Sequence, residues 1–174
     1  MAIQDRFKFR AYITCIINRY TEEEKEVSFY IYDVAVYRYG DIGFSRDQLL
    51  DALSKLDLTE AQKDEIEEDI SENSYSEDCE WYSIEFGKKE QCTGLKDKNG
   101  KLIYEGDIVV KNDVSALGYS RTRVCEVHWH NDWLSWAITT QYGDTYELSE
   151  FEPQQYEIIG NIHENADLLE NKDE

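Results

Sequence analysis

Glu126, His128 and His130 take alternate positions in the run CEVHWHNDW. A strand there would set one carboxylate and two imidazoles on one face, with Cys125, Val127 and Trp129 on the other. Two histidines at i, i+2 beside a carboxylate can bind zinc if a further ligand, such as His163, comes close. The plainer reading makes the Cys/Val/Trp face core and the His face polar surface. No second ligand pair of diagnostic spacing accompanies these residues. The expectation is therefore no metal and no cofactor, and a zinc-dependent hydrolase is kept as a second alternative. Neither GxSxG nor HExxH occurs, and no Cys/His or Ser/His/Asp arrangement has local context, so enzymatic activity is not expected.

The other stretch with chemical promise is CTGLKDKNGKLIYEGDIV, Cys92 to Val109, with three glycines and three lysines. A phosphate loop needs GxxxxGK[ST] between a strand and a helix, so that backbone amides converge on the anion. Here Leu102 follows Lys101 where a hydroxyl is required, and the next segment, LIYEGDIVV, has strand character. The run instead reads as turns. Asn99-Gly100 suits the centre of a type I′ turn, in which both residues take positive φ, and Gly106-Asp107 makes a second reversal.

Charge is the third feature. The net charge is -20, and half of that excess lies in residues 45–80, with three cations against thirteen acids. Ser45 and Gln48 have capping-box spacing, followed by Leu49, Leu50, Leu53 and Leu56 on one stripe; Thr59 and Gln62 repeat the box before Ile66 and Ile70. An acidic helical hairpin is expected at about 45–72, with helices at 46–56 and 60–71. The outer face of the second helix carries Asp64, Glu65, Glu67, Glu68 and Asp69. Such a face either keeps the protein solvated or docks on a basic groove as a nucleic-acid mimic. An EF-hand is the weaker reading, because these carboxylates lie on a helix without the Gly-bearing loop that a calcium site needs.

Strands must hold these features in place. In FKFRAYITCII, Phe7 to Ile17 alternate, with Arg6, Lys8 and Arg10 on the polar face. Those cations suit an acidic surface, this chain's own included, better than nucleic acid, whose direct binding the global charge opposes. EVSFYIYDVAVYRYG is apolar on both faces and is expected to be central or covered. CEWYSIEF gives another strand. Short strands are then expected near 101–104, 107–112, 123–130, 134–140, 144–148 and 156–161. Trp129, Trp133 and Trp136 could stack on bases but are assigned to the core.

One hundred and seventy-four residues, 13% of them aromatic, suffice for one good-sized domain or two small ones. The N-terminal segment has cations within its apolar stretch, which fits neither a signal peptide nor a membrane span, and a cytoplasmic location is expected. Cys15, Cys79, Cys92 and Cys125 form no CxxC pair and are taken as reduced and mostly buried.

CTGLKDKNGKLIYEGDIV resembles the signature of the YopX-like family of phage and prophage proteins. RFKFRAY is similar to that family's opening, and YEIIGNIHENADLLE to its close. Cys92 stands where the family has an aromatic, Tyr12 stands where Trp is common, and the acidic helices are not part of these three blocks. The resemblance implies a β-rich fold with a small barrel, self-association and an origin in mobile elements, and it transfers no catalytic residue. The expected architecture is α+β and mainly β. Residues 1–90 form an N-terminal β region with the acidic hairpin inserted, 91–163 a small SH3-like β-barrel, and 164–174 an acidic tail. The expected function is a phage- or prophage-derived, non-enzymatic binding or assembly module that forms a homo-oligomer and engages a host or phage protein. The first alternative is an acidic nucleic-acid-mimic inhibitor of a host enzyme.

Overall fold

The computed structural model describes residues 8–17, 25–36, 41–74, 81–84, 87–114, 120–148 and 155–170. The fold is α+β and mainly β, and it divides into two units, from Lys8 to Glu90 and from Gln91 onward.

In the first unit, strict alternation makes β1 (Phe9–Ile17) bury Ala11, Ile13, Cys15 and Ile17 on one face. It pairs antiparallel with β2 (Lys25–Tyr32), which sets Val27, Phe29 and Ile31 on the same side. A single strand was expected from Glu26 to Gly40, but β2 ends at Tyr32. Asp33 turns the chain with φ 57°, and β3 (Ala35–Val36) joins a different sheet of order β3-β4-β5, with β4 (Ile42–Ser45) and β5 (Trp81–Ile84).

Two helices follow β4. Helix α1 (Arg46–Ser54) starts at a complete capping box of Ser45 and Gln48, and α2 (Glu60–Glu72) at one of Thr59 and Gln62. A nine-residue helix is too short to persist on its own. Packing supplies the difference: α1 lies against β2 and β4 through Leu49, Ala52 and Leu53, and α2 against β1 and β5 through Ile66 and Ile70. Each buried Leu or Ile contributes roughly 2 kcal/mol. Leu50, expected on the apolar stripe, is exposed, because Ala52 takes the inward position beside Leu49 and Leu53.

Arg10 departs from expectation most. It was placed on an outer cationic face with Arg6 and Lys8, yet it is only 2% exposed. Its Nε donates to Glu90 Oε2 at 2.6 Å, and its guanidinium lies 4.3 Å from the centre of the Tyr30 ring. A long side chain with a planar charged head tolerates burial when a carboxylate and an aromatic face meet it. Lys8 pairs with Asp33 at 3.5 Å, and Arg6 lies outside the described residues.

β6 (Lys88–Lys96) carries the chain from the first unit into the second. There it forms a hairpin with β7 (Leu102–Tyr104), its register interrupted between Cys92 and Lys96. No strand was expected at β6, because its lysines and Gly94 mask the buried Glu90, Cys92, Thr93 and Leu95. Then come β8 (Asp107–Val114), β9 (Ser120–His130), β10 (Ser135–Thr140), β11 (Thr145–Glu147) and β12 (Tyr156–Asn161). They form an antiparallel half-barrel sheet of order β11-β10-β9-β8-β12 over a core that includes Val109, Cys125, Val127, Ile138 and Tyr156. A short 3-10 helix, Ala166–Leu169, closes the described chain.

Candidate functional site

The CTGLKDKNGKLIYEGDIV run is built around two buried carboxylates. Asp97, at the tip of the β6–β7 hairpin, accepts the Asn99 and Lys101 amides on Oδ1, each at 2.9 Å, and the Ile158 amide on Oδ2 at 3.3 Å. The Lys98 amide donates to Tyr156 O at 2.9 Å, and Lys98 Nζ lies 2.6 Å from Glu157 Oε2. This tip is therefore tied to β12 by backbone, carboxylate and ion pair together. The expected type I′ turn is not what forms. Gly100 has φ 82° but Asn99 is not left-handed, and the Gly100 amide bonds to Asp97 O at 2.9 Å. The turn spans Asp97 to Gly100 with Lys98-Asn99 at its centre and glycine in the left-handed position after it, because the Asp97 side chain captures the Asn99 amide.

The second reversal places Gly106 at φ 77° and buries Asp107, whose Oδ2 accepts the Tyr104 amide at 2.8 Å. Gly106 then donates to Val127 O at 2.8 Å and accepts from the Ile162 amide at 2.9 Å, which joins β9 to the end of β12. The closing block, IGNIHEN, is equally internal. Asn161 Oδ1 accepts the His163 and Glu164 amides at 2.9 and 3.0 Å, and its Nδ2 donates to Glu164 Oε2 at 2.6 Å. A Cβ on Gly160 would lie 2.5 Å from Asn165 Oδ1. Sequence reasoning missed Asp97, Asn161 and Asn165. The legible signals were an Asp two residues before Asn-Gly and the Asn-x-x-x-Asn spacing, both typical of side chains that bond nearby amides.

On β9, Glu126, His128 and His130 do share a face, and Cys125 and Val127 are buried on the other. Both His128 nitrogens face hydrogen-bond partners: Nε2 lies 2.8 Å from Thr139 Oγ1 and Nδ1 3.3 Å from Trp129 O. His130 stacks on Trp133, centroids 4.0 Å apart and planes at 17°, and its Nδ1 accepts the Trp133 amide. His163 sits in the turn after β12. Among the described residues no group of three or more His, Cys, Asp or Glu could hold a metal ion.

Around His130 the β9–β10 hairpin presents aromatic surface. Trp136 is half-buried, packed on the core and edge-to-face with Trp129 at 5.3 Å. Trp129 and Trp133 were assigned to the core, yet they are 41% and 48% exposed, because they stand at the end of the hairpin. Beside them Leu134 is 75% exposed and has φ 51°.

The five carboxylates of α2 do not form one face. Glu67 adjoins the buried Ile66 and turns to Arg46 and Tyr82, whose hydroxyl donates to Oε1 at 3.0 Å. The Arg46 guanidinium is the main cause that holds the Glu67 carboxyl below its ordinary range, and burial opposes it. Asp69 meets Asn73, Glu65 is half-buried, and Asp64 and Glu68, one turn apart, are exposed. Cys15, Cys92 and Cys125 are buried thiols. Among the described residues no helix is long and apolar enough to cross a membrane.

Comparison with protein families gives one description, YopX protein, whose model matches residues 50–170, well over half of the chain. The match takes in α2 as well as the signature run and the closing block, and it begins after β1. Comparison with curated proteins gives no match.

Proposed function

The chain belongs to the YopX family, and on that premise we propose that it is a non-enzymatic protein-binding or assembly module of phage or prophage origin that self-associates in the cytoplasm. The observation that carries this reading is the division of labour between polar and apolar side chains. Asp97, Asp107 and Asn161, the polar residues of the family-like blocks, are buried and bonded to nearby amides. Large apolar side chains such as Trp129, Trp133 and Leu134 face solvent. A catalytic site would need the reverse, polar groups converging on an open cleft.

At the level of fold, the reading takes the second unit as an SH3-like barrel. The antiparallel order of its five-stranded sheet and the ties from the β6–β7 hairpin to β12 support that. It takes α1 and α2 as an acidic hairpin, supported by the Arg46–Glu67 pair between them.

Light scattering at micromolar concentration tests the self-association. The expected mass is a multiple of the 20.5 kDa chain, and a monomer would contradict it. One observation favours a second reading, an acidic nucleic-acid mimic: Asp64 and Glu68 stand exposed one turn apart on α2 without a partner among the described residues. Asp64→Asn with Glu68→Gln would then abolish inhibition of a nucleic-acid-binding host enzyme, and unchanged inhibition would reject mimicry.

A further inference from the structure

We infer that the tip of the β9–β10 hairpin, Trp129, Trp133 and Leu134, is an anchor that inserts into an apolar pocket on a basic partner protein. The inference deepens the protein-binding reading and rests on it.

Three observations point to the tip. Leu134 has φ 51°, a left-handed conformation that a side chain with a Cβ adopts at a cost and glycine adopts freely. That conformation leaves an apolar side chain 75% in water. Leu134 is not part of the buried core, and strain of this kind collects where a surface has to make a contact. Trp133 is fixed in advance by its stack on His130, 4.0 Å between centroids, so little side-chain freedom remains to be lost on binding. Trp129 extends the patch and is itself held edge-on by Trp136. Tryptophan anchors of this kind dominate binding energies at protein interfaces.

Charge selects the partner. The chain carries -20, and Asp132 lies exposed within the same turn. A polyanion or an anionic lipid surface would be repelled, and a second copy docked tip to tip would set Asp132 against Asp132, so self-association falls to another face. A pocket rimmed by Lys and Arg would be attracted to the field and would bury the aromatic tip.

The test places a benzophenone amino acid at position 134, and separately at position 68 on α2, in cells that carry the gene. Position 134 is expected to cross-link a protein of net positive charge, with the adduct mapped to an apolar pocket. Yield should fall by about tenfold or more with Trp133→Ser, as for a central anchor. In a lysate of the same cells, cross-linking should also fall in about 1 M salt, where charges are screened beyond about 3 Å. The purified partner must then rebind the wild-type chain. Leu134→Gly must weaken that rebinding while raising the melting temperature, whereas a purely structural leucine would lower both. Adducts at 134 only with a second copy, only with nucleic acid, or only with an acidic protein overturn the inference. Adducts at 68 but not at 134 overturn it and leave the binding reading standing. Adducts at neither position overturn the inference, and the binding reading falls with it only if light scattering also shows a monomer.

Discussion

The Arg46 guanidinium, on the first residue of α1, binds both carboxylate oxygens of Glu67 in the middle of α2. The Tyr82 hydroxyl of β5 adds a third bond to the same carboxylate. Two helices and a strand thus meet at one side chain. The bidentate geometry is the strong form of such a pair, although it stands partly in solvent.

A pH dependence follows. The folded state holds the Glu67 carboxyl below its ordinary value, with Arg46 the largest cause. The unfolded chain therefore takes up the proton first as pH falls. The pair's contribution is fully present above the unfolded glutamate value of about 4.3 and is lost as pH drops through the folded value. Glu67→Gln should lower the melting temperature at pH 7, and the gap to the wild type should close below about pH 4. A gap that stays constant from pH 7 to pH 3 would refute the role.

Asp97→Ala should destabilise the second unit by about 3 kcal/mol, since it strips acceptors from several nearby amides at once. Urea unfolding of the variant checks this. Asp97→Asn should recover part of the loss, because one carboxamide oxygen can still accept the two amides that Oδ1 now holds.

Gly160→Ala should cost about 1–3 kcal/mol, because the new methyl meets Asn165 at less than van der Waals distance. Asn165→Gly in the same chain should relieve the overlap, since it also removes the Asn165 Cβ that would lie 2.8 Å from the new methyl, and the two changes together should therefore cost less than their sum in thermal unfolding.

Gly100→Val should destabilise by roughly 1 kcal/mol or more, through positive φ forced on a β-branched residue. The space around Gly100 is open, so the effect is conformational and not steric crowding. Gly100→Asn should be milder, because Asn tolerates the left-handed region, and chemical denaturation of the pair of variants separates the two.

Periodicity carried much of the fold. Both capping boxes, the buried Ile66 and Ile70, and β7 to β12 were legible because each segment satisfies its own local preference. What failed depends on partners distant in sequence. Arg10 looked exposed because Glu90 lies 80 positions away. β6 was hidden by a composition of lysines and glycine. Asn99-Gly100 suggested a turn type that the Asp97 carboxylate overrides. At the candidate surface, the alternation of Trp129 with His128 and His130 was legible. The exposure of Trp133 and Leu134 was not, since nothing local says where the core ends along a hairpin.

The central claim is that the signature run acts as structure, with the Asp97 turn clamped to β12. Amide hydrogen exchange reads this directly at Lys98, Lys101 and Ile158, whose protons bond to Tyr156 O and to the Asp97 carboxylate. The account predicts that all three exchange slowly and together with the β8–β9 ladder amides, through unfolding of the unit as a whole. Exchange at the rate of an open surface loop, while the ladder stays protected, would contradict it.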